Sequence, residues 1–289
     1  MSTPSNQPRA LGILAGGGPL PGRVASAAAA AGRKVFIVGL EGFAYAAVLA
    51  PWPHVFFRMG AVRGIFGALR TNLCQDLVLI GPVRRPSFRD IRPDVDAAKI
   101  IARIGRSAFA GDDGLLSAVI RVLGEEGFRV LGAHEILNEA LGPRGLLSRA
   151  SPDATAMADI NRGIAVTRAL GAVDVGQSCV VSAGVVIAVE AAEGTDPMLS
   201  RCGALLDAMD MAKPAGVLVK SVKPNQDRRA DLPTIGPETI RHAAAAGLVG
   251  IAYDASGTIL AEREACIARA DELGLFLLGF DPETTEPGS

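Results

Sequence analysis

Residues 11–40, LGILAGGGPLPGRVASAAAAAGRKVFIVGL, indicate the fold class of this chain. The apolar run Leu11–Ala15 is followed by three glycines, an alanine-rich stretch and a second apolar run, Lys34–Leu40. This order predicts a strand, a glycine turn, a helix and a strand, which together form a βαβ unit. Strands that are apolar throughout are typical of a parallel sheet covered by helices on both faces.

The same alternation continues to about residue 132. Apolar runs at residues 54–59, 76–80 and 129–132 predict further strands, and residues 63–74, 94–109 and 114–127 predict helices. Strands that alternate with helices favour a Rossmann-like, doubly wound α/β domain. We assign this N-terminal domain to residues 1–134.

Residues 135–152 contain Gly142-Pro143-Arg144-Gly145 and Ser151-Pro152, which interrupt regular structure, so we predict a linker there. We assign residues 153–289 to a distinct α+β domain that carries the catalytic residues. Two antiparallel hairpins are expected in it, one over residues 178–190 and one over residues 248–260.

Composition narrows the class of protein. The net charge of −1 gives no reason to expect nucleic-acid binding. The polar N-terminus has no signal core and no long uncharged apolar run occurs, so we expect a cytoplasmic protein. The four cysteines are far apart and are expected to be buried hydrophobic residues, and the three histidines show no metal-binding spacing.

Glycine and acidic turns give the first candidate site residues. The turn Gly16-Gly17-Gly18 precedes the first helix, where backbone N–H groups can bind phosphate, although a tight turn without a ligand is the alternative. Asp112 and Asp113 open a helix, and they are either ligands for a cation or sugar hydroxyl or simply capping residues.

A second group of candidates lies near the 178–190 hairpin. Polar residues at strand ends suit Mg²⁺ or substrate hydroxyls, although such residues are as often only turn formers. The candidates here are Gln177, Glu190, Thr195 and Asp196, of which we assign Glu190 and Asp196 as metal ligands and the other two to substrate binding.

The densest polar feature is the segment 220–236, KSVKPNQDRRADLPTIG. It has four cations and two carboxylates between a predicted strand and a predicted helix, and its prolines exclude a regular helix face. Lysine and arginine form charge-assisted hydrogen bonds with phosphate, and an aspartate among them can hold a metal or activate water. We assign Lys220, Lys223 and Arg229 to catalysis and Gln226 and Thr234 to substrate binding. The segment by itself leaves open which of its aspartates, Asp227 or Asp231, holds a metal or activates water.

Five segments of the chain together resemble a known family, the I-type UDP-2,3-diacylglucosamine pyrophosphatases of lipid A synthesis. The matching segments are Gly12–Pro21, Gly111–Ser117, Asp174–Gln177, Glu190–Asp196 and Lys220–Gly236, and the likeness covers about residues 9–281. The long pattern from Lys220 to Gly236 is specific, whereas the glycine turn alone would not be.

The resemblance implies an Mg²⁺-dependent enzyme that hydrolyses UDP-2,3-diacylglucosamine to UMP and 2,3-diacylglucosamine 1-phosphate (lipid X). It also implies that the substrate is held between a Rossmann-like domain and a second domain, and that the enzyme is a homodimer. Asp227 matches the position of the family's key catalytic acid, so we assign it both to catalysis and as a metal ligand. A lipid-linked nucleotide sugar as substrate leads us to expect peripheral contact with the inner membrane.

Two other functions remain open at this stage. One is a nucleotide-sugar binding or regulatory protein without catalysis, which the Asp227→Ala variant distinguishes from an enzyme. The other is a nucleotide-dependent oxidoreductase of similar architecture, and the lack of a GxGxxG motif counts against it.

Overall fold

The chain folds into two compact units. The structure, a computed structural model, describes residues 8–83, 93–104, 112–137, 141–210, 213–224, 229 and 232–282, with the backbone alone for residues 103–104 and 112–113. Among the described residues, one unit comprises residues 8–137 and Arg229, and the other comprises residues 141–224 and 232–282. The change from one unit to the other falls inside the segment 135–152.

The first unit is a parallel sheet with helices between its strands. Its elements are β1 (Ala10–Ala15), α1 (Leu20–Ala30), β2 (Val35–Leu40), α2 (Ala46–Leu49), β3 (His54–Phe57), α3 (Val62–Thr71), β4 (Cys74–Ile80), α4 (Val95–Ile104), α5 (Asp112–Glu125), β5 (Arg129–Leu131) and α6 (Ala133–Ile136). The strand order is β3-β2-β1-β4-β5, and every pairing is parallel. The order reverses beside β1, so the prediction of a Rossmann-like doubly wound sheet is confirmed.

Burial explains why the strands of this sheet are apolar on both faces. Leu11 and Ile13 of β1, Val38 of β2 and Leu77 of β4 are all completely buried. Their side chains have no access to water because helices connect successive strands across the sheet. The carboxyl ends of β1 and β4 are neighbours, and this is the point in such a sheet where ligands bind.

The second unit has a six-stranded mixed sheet. Its elements are β6 (Gly145–Leu146), α7 (Ala154–Ala172), β7 (Ser178–Ser182), β8 (Val185–Val189), α8 (Thr195–Ala208), β9 (Val217–Lys220), β10 (Thr234–Ile235), α9 (Pro237–Ala245), β11 (Gly250–Asp254), β12 (Ile259–Leu260), α10 (Arg263–Leu273) and β13 (Phe276–Phe280). The strand order is β6-β13-β11-β9-β7-β8, with β9, β11 and β13 parallel and β6, β7 and β8 antiparallel to their neighbours.

Helix α7 packs closely on the centre of this sheet. Asp153 caps it by accepting a hydrogen bond from the backbone N–H of Ala156 at 2.8 Å. At Gly163 a Cβ atom would lie 2.4 Å from Cγ2 of Val219, so only glycine allows the helix to approach β9 this closely. This packing holds the strand that ends at Lys220.

One predicted hairpin is confirmed and the other is wrong. Strands β7 and β8 pair antiparallel across Ala183 and Gly184, as predicted. The segment 248–260 does not form a hairpin, because β11 is flanked on both sides by β9 and β13 and has no free edge. Strand β12 instead pairs in parallel with β10 in a separate two-stranded sheet.

The cysteines behave as predicted. All four are free and buried. Burial raises the pKa of the Cys74 thiol to about 11, of Cys179 to about 12 and of Cys202 to about 11, so these thiols are poor nucleophiles. Within the described residues, no helix combines the length and the apolar composition needed to cross a membrane.

Candidate active site

A cluster of buried polar side chains lies at one end of the six-stranded sheet. Lys220 is the last residue of β9, and it pairs with Ser178 of β7 on one side and Tyr253 of β11 on the other. The whole of Lys220 is only 5% exposed. A lysine is rarely buried to this extent unless its ammonium group has polar partners, so its contacts point to a specific role.

The Lys220 ammonium is linked to a carboxylate through one hydroxyl group. Its Nζ donates to Oγ1 of Thr195 at 2.7 Å, and Oγ1 of Thr195 donates to Oε2 of Glu190 at 3.1 Å. The hydroxyl of Ser178 also donates to Oε2 of Glu190. Because an ammonium group can only donate, the Thr195 proton must point to Glu190. The network therefore fixes the lysine, and Thr195 takes up one of its three N–H groups within the described part of the chain.

The second lysine of the segment is held by an ion pair. The Nζ of Lys223 lies 2.6 Å from Oδ1 of Asp174, and the two side chains are 11% and 24% exposed. Asp174 has a φ angle of +55°, in the left-handed region that aspartate tolerates better than most residues. This pairing fixes the ammonium group beside the same end of the sheet.

Ser221, which follows Lys220, and Gln177, which precedes β7, complete the cluster. The backbone N–H of Ser221 donates to the carbonyl of Gln177 at 2.9 Å, and the Ser221 hydroxyl lies 2.8 Å from that of Thr167 on α7. The side-chain oxygen of Gln177 is shielded from solvent and accepts no hydrogen bond in the described part of the chain. Gln177, predicted to bind substrate, therefore lies next to the lysines with an unused acceptor.

The two described carboxylates assigned to a metal have different partners. Glu190 is 92% buried and accepts hydrogen bonds from two hydroxyl groups. Asp196 is half-exposed, and its Oδ1 lies 3.3 Å from Nδ1 of His242. Arg241 lies 2.7 Å from Nε2 of His242 and can only donate, so the ring proton belongs on Nδ1. Nδ1 is shielded from solvent and makes no hydrogen bond in the described part of the chain, so its approach to Asp196 is not a hydrogen bond.

No group of three histidine, cysteine, aspartate or glutamate side chains suited to a metal occurs among the residues that the structure describes. The assignment of Glu190 and Asp196 as metal ligands stays a prediction, because Mg²⁺ is usually bound by only one or two carboxylates together with substrate phosphates. The third predicted ligand, Asp227, lies outside the described residues, and so does Gln226.

Two further candidates of the charged segment, Arg229 and Thr234, are described by the structure. Arg229 is exposed. Thr234 lies in β10, and its hydroxyl donates to the carbonyl of Leu232 at 3.2 Å. The assignments of Arg229 to catalysis and Thr234 to substrate binding stay predictions.

The glycine turn of the first unit packs tightly against the loop after β4. The N–H groups of Gly16 and Gly17 donate to the carbonyls of Ile80 and Pro82, each at 2.9 Å. A Cβ atom at Gly16 would lie 2.4 Å from the carbonyl oxygen of Gly81, so the turn requires glycine for packing.

The N–H groups of Gly16 and Gly17 already bind carbonyl oxygens, which limits the number of N–H groups that this turn can donate to a phosphate. Gly18, with φ of +77°, is the member of the turn that leads directly into α1. Any phosphate contact by N–H groups here would therefore involve Gly18, Leu20 or Gly22, because Pro19 and Pro21 have no N–H and the first bond within the helix is donated by Arg23. Asp112 and Asp113 begin α5, and their side chains lie outside the described atoms.

Sequence reasoning missed two residues of the cluster in the second unit. Ser178 directly follows Gln177, but a serine at the start of an apolar strand carries no signal of its own. Asp254 ends β11 and is 4% exposed. It has the feature that drew attention to Glu190, an acid at the end of an apolar strand, so the same criterion would have found it.

The fold and the site define a two-unit α/β protein with a buried, lysine-bearing polar cluster at the ends of its strands. Such sites in α/β proteins suit phosphate-bearing ligands.

Comparison with known proteins identifies the family. A model described as the LpxI N-terminal domain matches residues 10–140, and one described as the LpxI C-terminal domain matches residues 143–278. The chain therefore belongs to the LpxI family. It is 44% identical over 277 residues to the UDP-2,3-diacylglucosamine pyrophosphatase LpxI of Caulobacter vibrioides, covering 95% of this chain and 99% of that protein.

Proposed function

We propose that this protein hydrolyses UDP-2,3-diacylglucosamine to UMP and 2,3-diacylglucosamine 1-phosphate in lipid A synthesis. The observation that carries the proposal is the 44% identity, over almost the full length of both chains, to a relative named for that pyrophosphatase activity. The matches to both LpxI domains agree with it.

The buried cluster suits the chemistry of this reaction. Hydrolysis adds water to one phosphorus atom and breaks the bond to the bridging oxygen of the diphosphate, so negative charge develops on phosphate oxygens. Fixed cations and N–H groups aimed at that charge stabilise the transition state. Among the described residues, Lys220 is held through one N–H group by Thr195, and Lys223 is held by Asp174. We propose that both ammonium groups bind the diphosphate and that Asp227 orients the attacking water.

Magnesium is part of the proposal, with Asp227 as its principal ligand. When bound, Mg²⁺ would neutralise charge on the diphosphate. Glu190 and Asp196 are weaker candidates as ligands because each already has a partner within the second unit. Activity is expected to disappear in excess EDTA and return on addition of Mg²⁺. Full activity in EDTA would remove the metal from the proposal.

The direct test is release of UMP from UDP-2,3-diacylglucosamine by the purified protein with Mg²⁺. Asp227→Ala is expected to lower kcat by at least ~100-fold while leaving substrate binding measurable, as for a group that acts on the transition state. Binding of the substrate by the wild-type protein without release of UMP would instead identify a non-catalytic nucleotide-sugar binding protein.

A second variant tests the cluster itself. Lys220→Met removes the charge while keeping an unbranched side chain, and kcat/KM is expected to fall about 100-fold, the loss typical of one transition-state donor. Lys213→Met is the matched control, because Lys213 is also a hydrogen-bonded lysine of the second unit but pairs with Asp207 and the carbonyl of Gly203. Equal losses in both variants would contradict a direct role for Lys220.

The lipid substrate bears on where the enzyme works. We propose that a cytoplasmic enzyme meets its substrate at the surface of the inner membrane through weak peripheral contact, which flotation with substrate-containing vesicles tests. The predicted homodimer is tested by sedimentation equilibrium.

A further inference from the structure

One short segment holds both ends of the charged segment 220–236. At the start, Val222 N–H donates to Oδ2 of Asp254 at 3.4 Å, a long hydrogen bond. At the end, Ile259 N–H donates to the carbonyl of Pro233 at 2.7 Å, and β12 pairs with β10. We call residues 254–260 the brace. Because both attachments involve the brace, the position of the lysine-bearing loop depends on it.

Asp254 is the central residue of the brace. Besides Val222, its carboxylate accepts two hydrogen bonds at Oδ1 from Ser256, from the backbone N–H at 2.8 Å and the hydroxyl at 2.6 Å. Its carbonyl accepts from the N–H of Thr258 at 3.0 Å. Asp254 is 4% exposed and ends β11, directly after the residue that pairs with Lys220. One buried carboxylate thus joins the turn of the brace to the chain two residues beyond Lys220.

Packing acts at the same place as the hydrogen bonds. A Cβ atom at Gly257 would lie 2.7 Å from Cγ2 of Val222, so the brace and the loop are in direct van der Waals contact. Val222 is therefore held in two ways: its backbone N–H binds the Asp254 carboxylate, and its side chain packs against the backbone of Gly257. Its neighbour Lys223 carries the charge that pairs with Asp174.

We propose that Asp254 is a positioning residue for the hydrolysis: it fixes the start of the charged loop so that Lys223 reaches the diphosphate. The proposal rests on the proposed function. Asp254 acts through Val222 and need not touch the substrate. Misplacement of catalytic groups by about 1 Å lowers rates by about 100-fold, so a modest loosening of this attachment is enough to affect turnover.

The chemistry of the contact favours aspartate over asparagine. Three donors, one from Val222 and two from Ser256, point at the carboxylate, which has acceptor atoms only. Asparagine at position 254 has one acceptor oxygen and one NH₂ group. Whichever way the amide is oriented, its NH₂ group faces a donor, so the attachment to Val222 or the one to Ser256 is lost.

The test compares Asp254→Asn with Asp159→Asn. Asp159 on α7 is 2% exposed, and its carboxylate accepts the backbone N–H groups of Ala183 at 3.0 Å and Gly184 at 2.7 Å, at the far end of β7 from Ser178. Both substitutions disturb a buried carboxylate that ties down a turn of the second unit. We expect similar losses of thermal stability, a 10- to 100-fold lower kcat with KM changed less than about 3-fold for Asp254→Asn, and kcat within about 2-fold of wild type for Asp159→Asn. Unchanged kcat in Asp254→Asn, or equal kcat losses in both variants, would overturn the proposal.

A second variant and a second measurement keep the test decisive. Gly257→Ala presses on Val222 without changing charge, and its kcat is expected to fall as well, so it decides the question if Asp254→Asn does not fold. Limited trypsin digestion measures how readily the loop is cleaved, and it does not depend on catalytic activity. Cleavage after Arg228 and Arg229 is expected to become at least about 5-fold faster in Asp254→Asn and not in Asp159→Asn.

The trypsin result separates the two proposals. If the wild-type protein releases no UMP, the proposed function fails, while the digestion still reports whether Asp254 holds the loop. If cleavage rates are the same in wild type and Asp254→Asn, the positioning role is wrong whatever the activity.

Discussion

Asp76 in β4 is a buried carboxylate at the amino end of the first sheet. It is 1% exposed and accepts two hydrogen bonds from Arg129, both at 2.8 Å, and one from Arg33. Burial by itself would raise the pKa of Asp76, but the hydrogen bonds and charges of the two arginines outweigh it, so the pKa is lowered. A lowered pKa in the folded state means that the ionised form stabilises the fold.

The resulting stabilisation depends on pH in a defined direction. It is fully present above about pH 4, the pKa of an unfolded aspartate, and is lost as the pH falls through the lower folded pKa. Asp76→Asn is expected to lower the free energy of unfolding by about 3 kcal/mol at pH 7, with the difference from wild type shrinking below pH 4. Urea denaturation at several pH values measures this. Asp96→Asn is the control, since Asp96 pairs with the exposed Arg63, and a comparable loss there would contradict the role of burial.

At the scale of a single element, helix α3 contains two glycines whose replacement by alanine is expected to change the free energy of unfolding in opposite directions. A Cβ atom at Gly67 meets nothing within 4 Å, whereas one at Gly64 would lie 2.6 Å from the Phe57 ring. Alanine favours a helix over glycine by about 1 kcal/mol, so Gly67→Ala is expected to raise the unfolding free energy by up to that amount. Gly64→Ala is expected to lower it by about 1–3 kcal/mol, because the helix must move away from β3.

Thermal or urea unfolding of the two variants side by side measures the difference. Each is the control for the other, because the substitution, the helix and the change in side-chain volume are the same. Two changes of the same sign would show that contact with Phe57 does not set the position of α3.

At the scale of the whole molecule, the cysteines report on the two units separately. Cys74 lies in the core of the first unit, while Cys179, Cys202 and Cys266 lie in the cores of the second. Because all four are buried, fewer than one thiol per molecule of native protein is expected to react with a reagent such as DTNB.

Rising urea concentration then tests whether each unit unfolds by itself. Each unit has its own sheet and its own core, so we expect two steps of thiol exposure in the ratio of one to three. Cys74→Ser is the control and should remove the smaller step. Exposure of all four thiols in a single transition would contradict independent unfolding.

The sequence by itself determined the class of the first unit and the outline of the site. The alternation of apolar runs and helical stretches in residues 11–132 is a local pattern. Apolar runs of this length that alternate with helices form the buried strands of a parallel sheet. The segment 220–236 was found in the same way, because its charges and prolines are adjacent in the chain. Lys220 and Lys223, both predicted from that segment, do have polar partners at the end of the sheet.

Tertiary structure alone decided which strands pair and which side chains meet. The pairing of β11 with β9 and β13, in place of the expected hairpin with residues 258–260, depends on strands 33 and 26 positions away in register. The link from Lys220 through Thr195 to Glu190, and the contact of Asp254 with Val222, join residues that periodicity treats as unrelated. Local patterns record whether a side chain is buried, but its partner is selected by packing of the whole sheet, which is why these contacts were beyond the sequence.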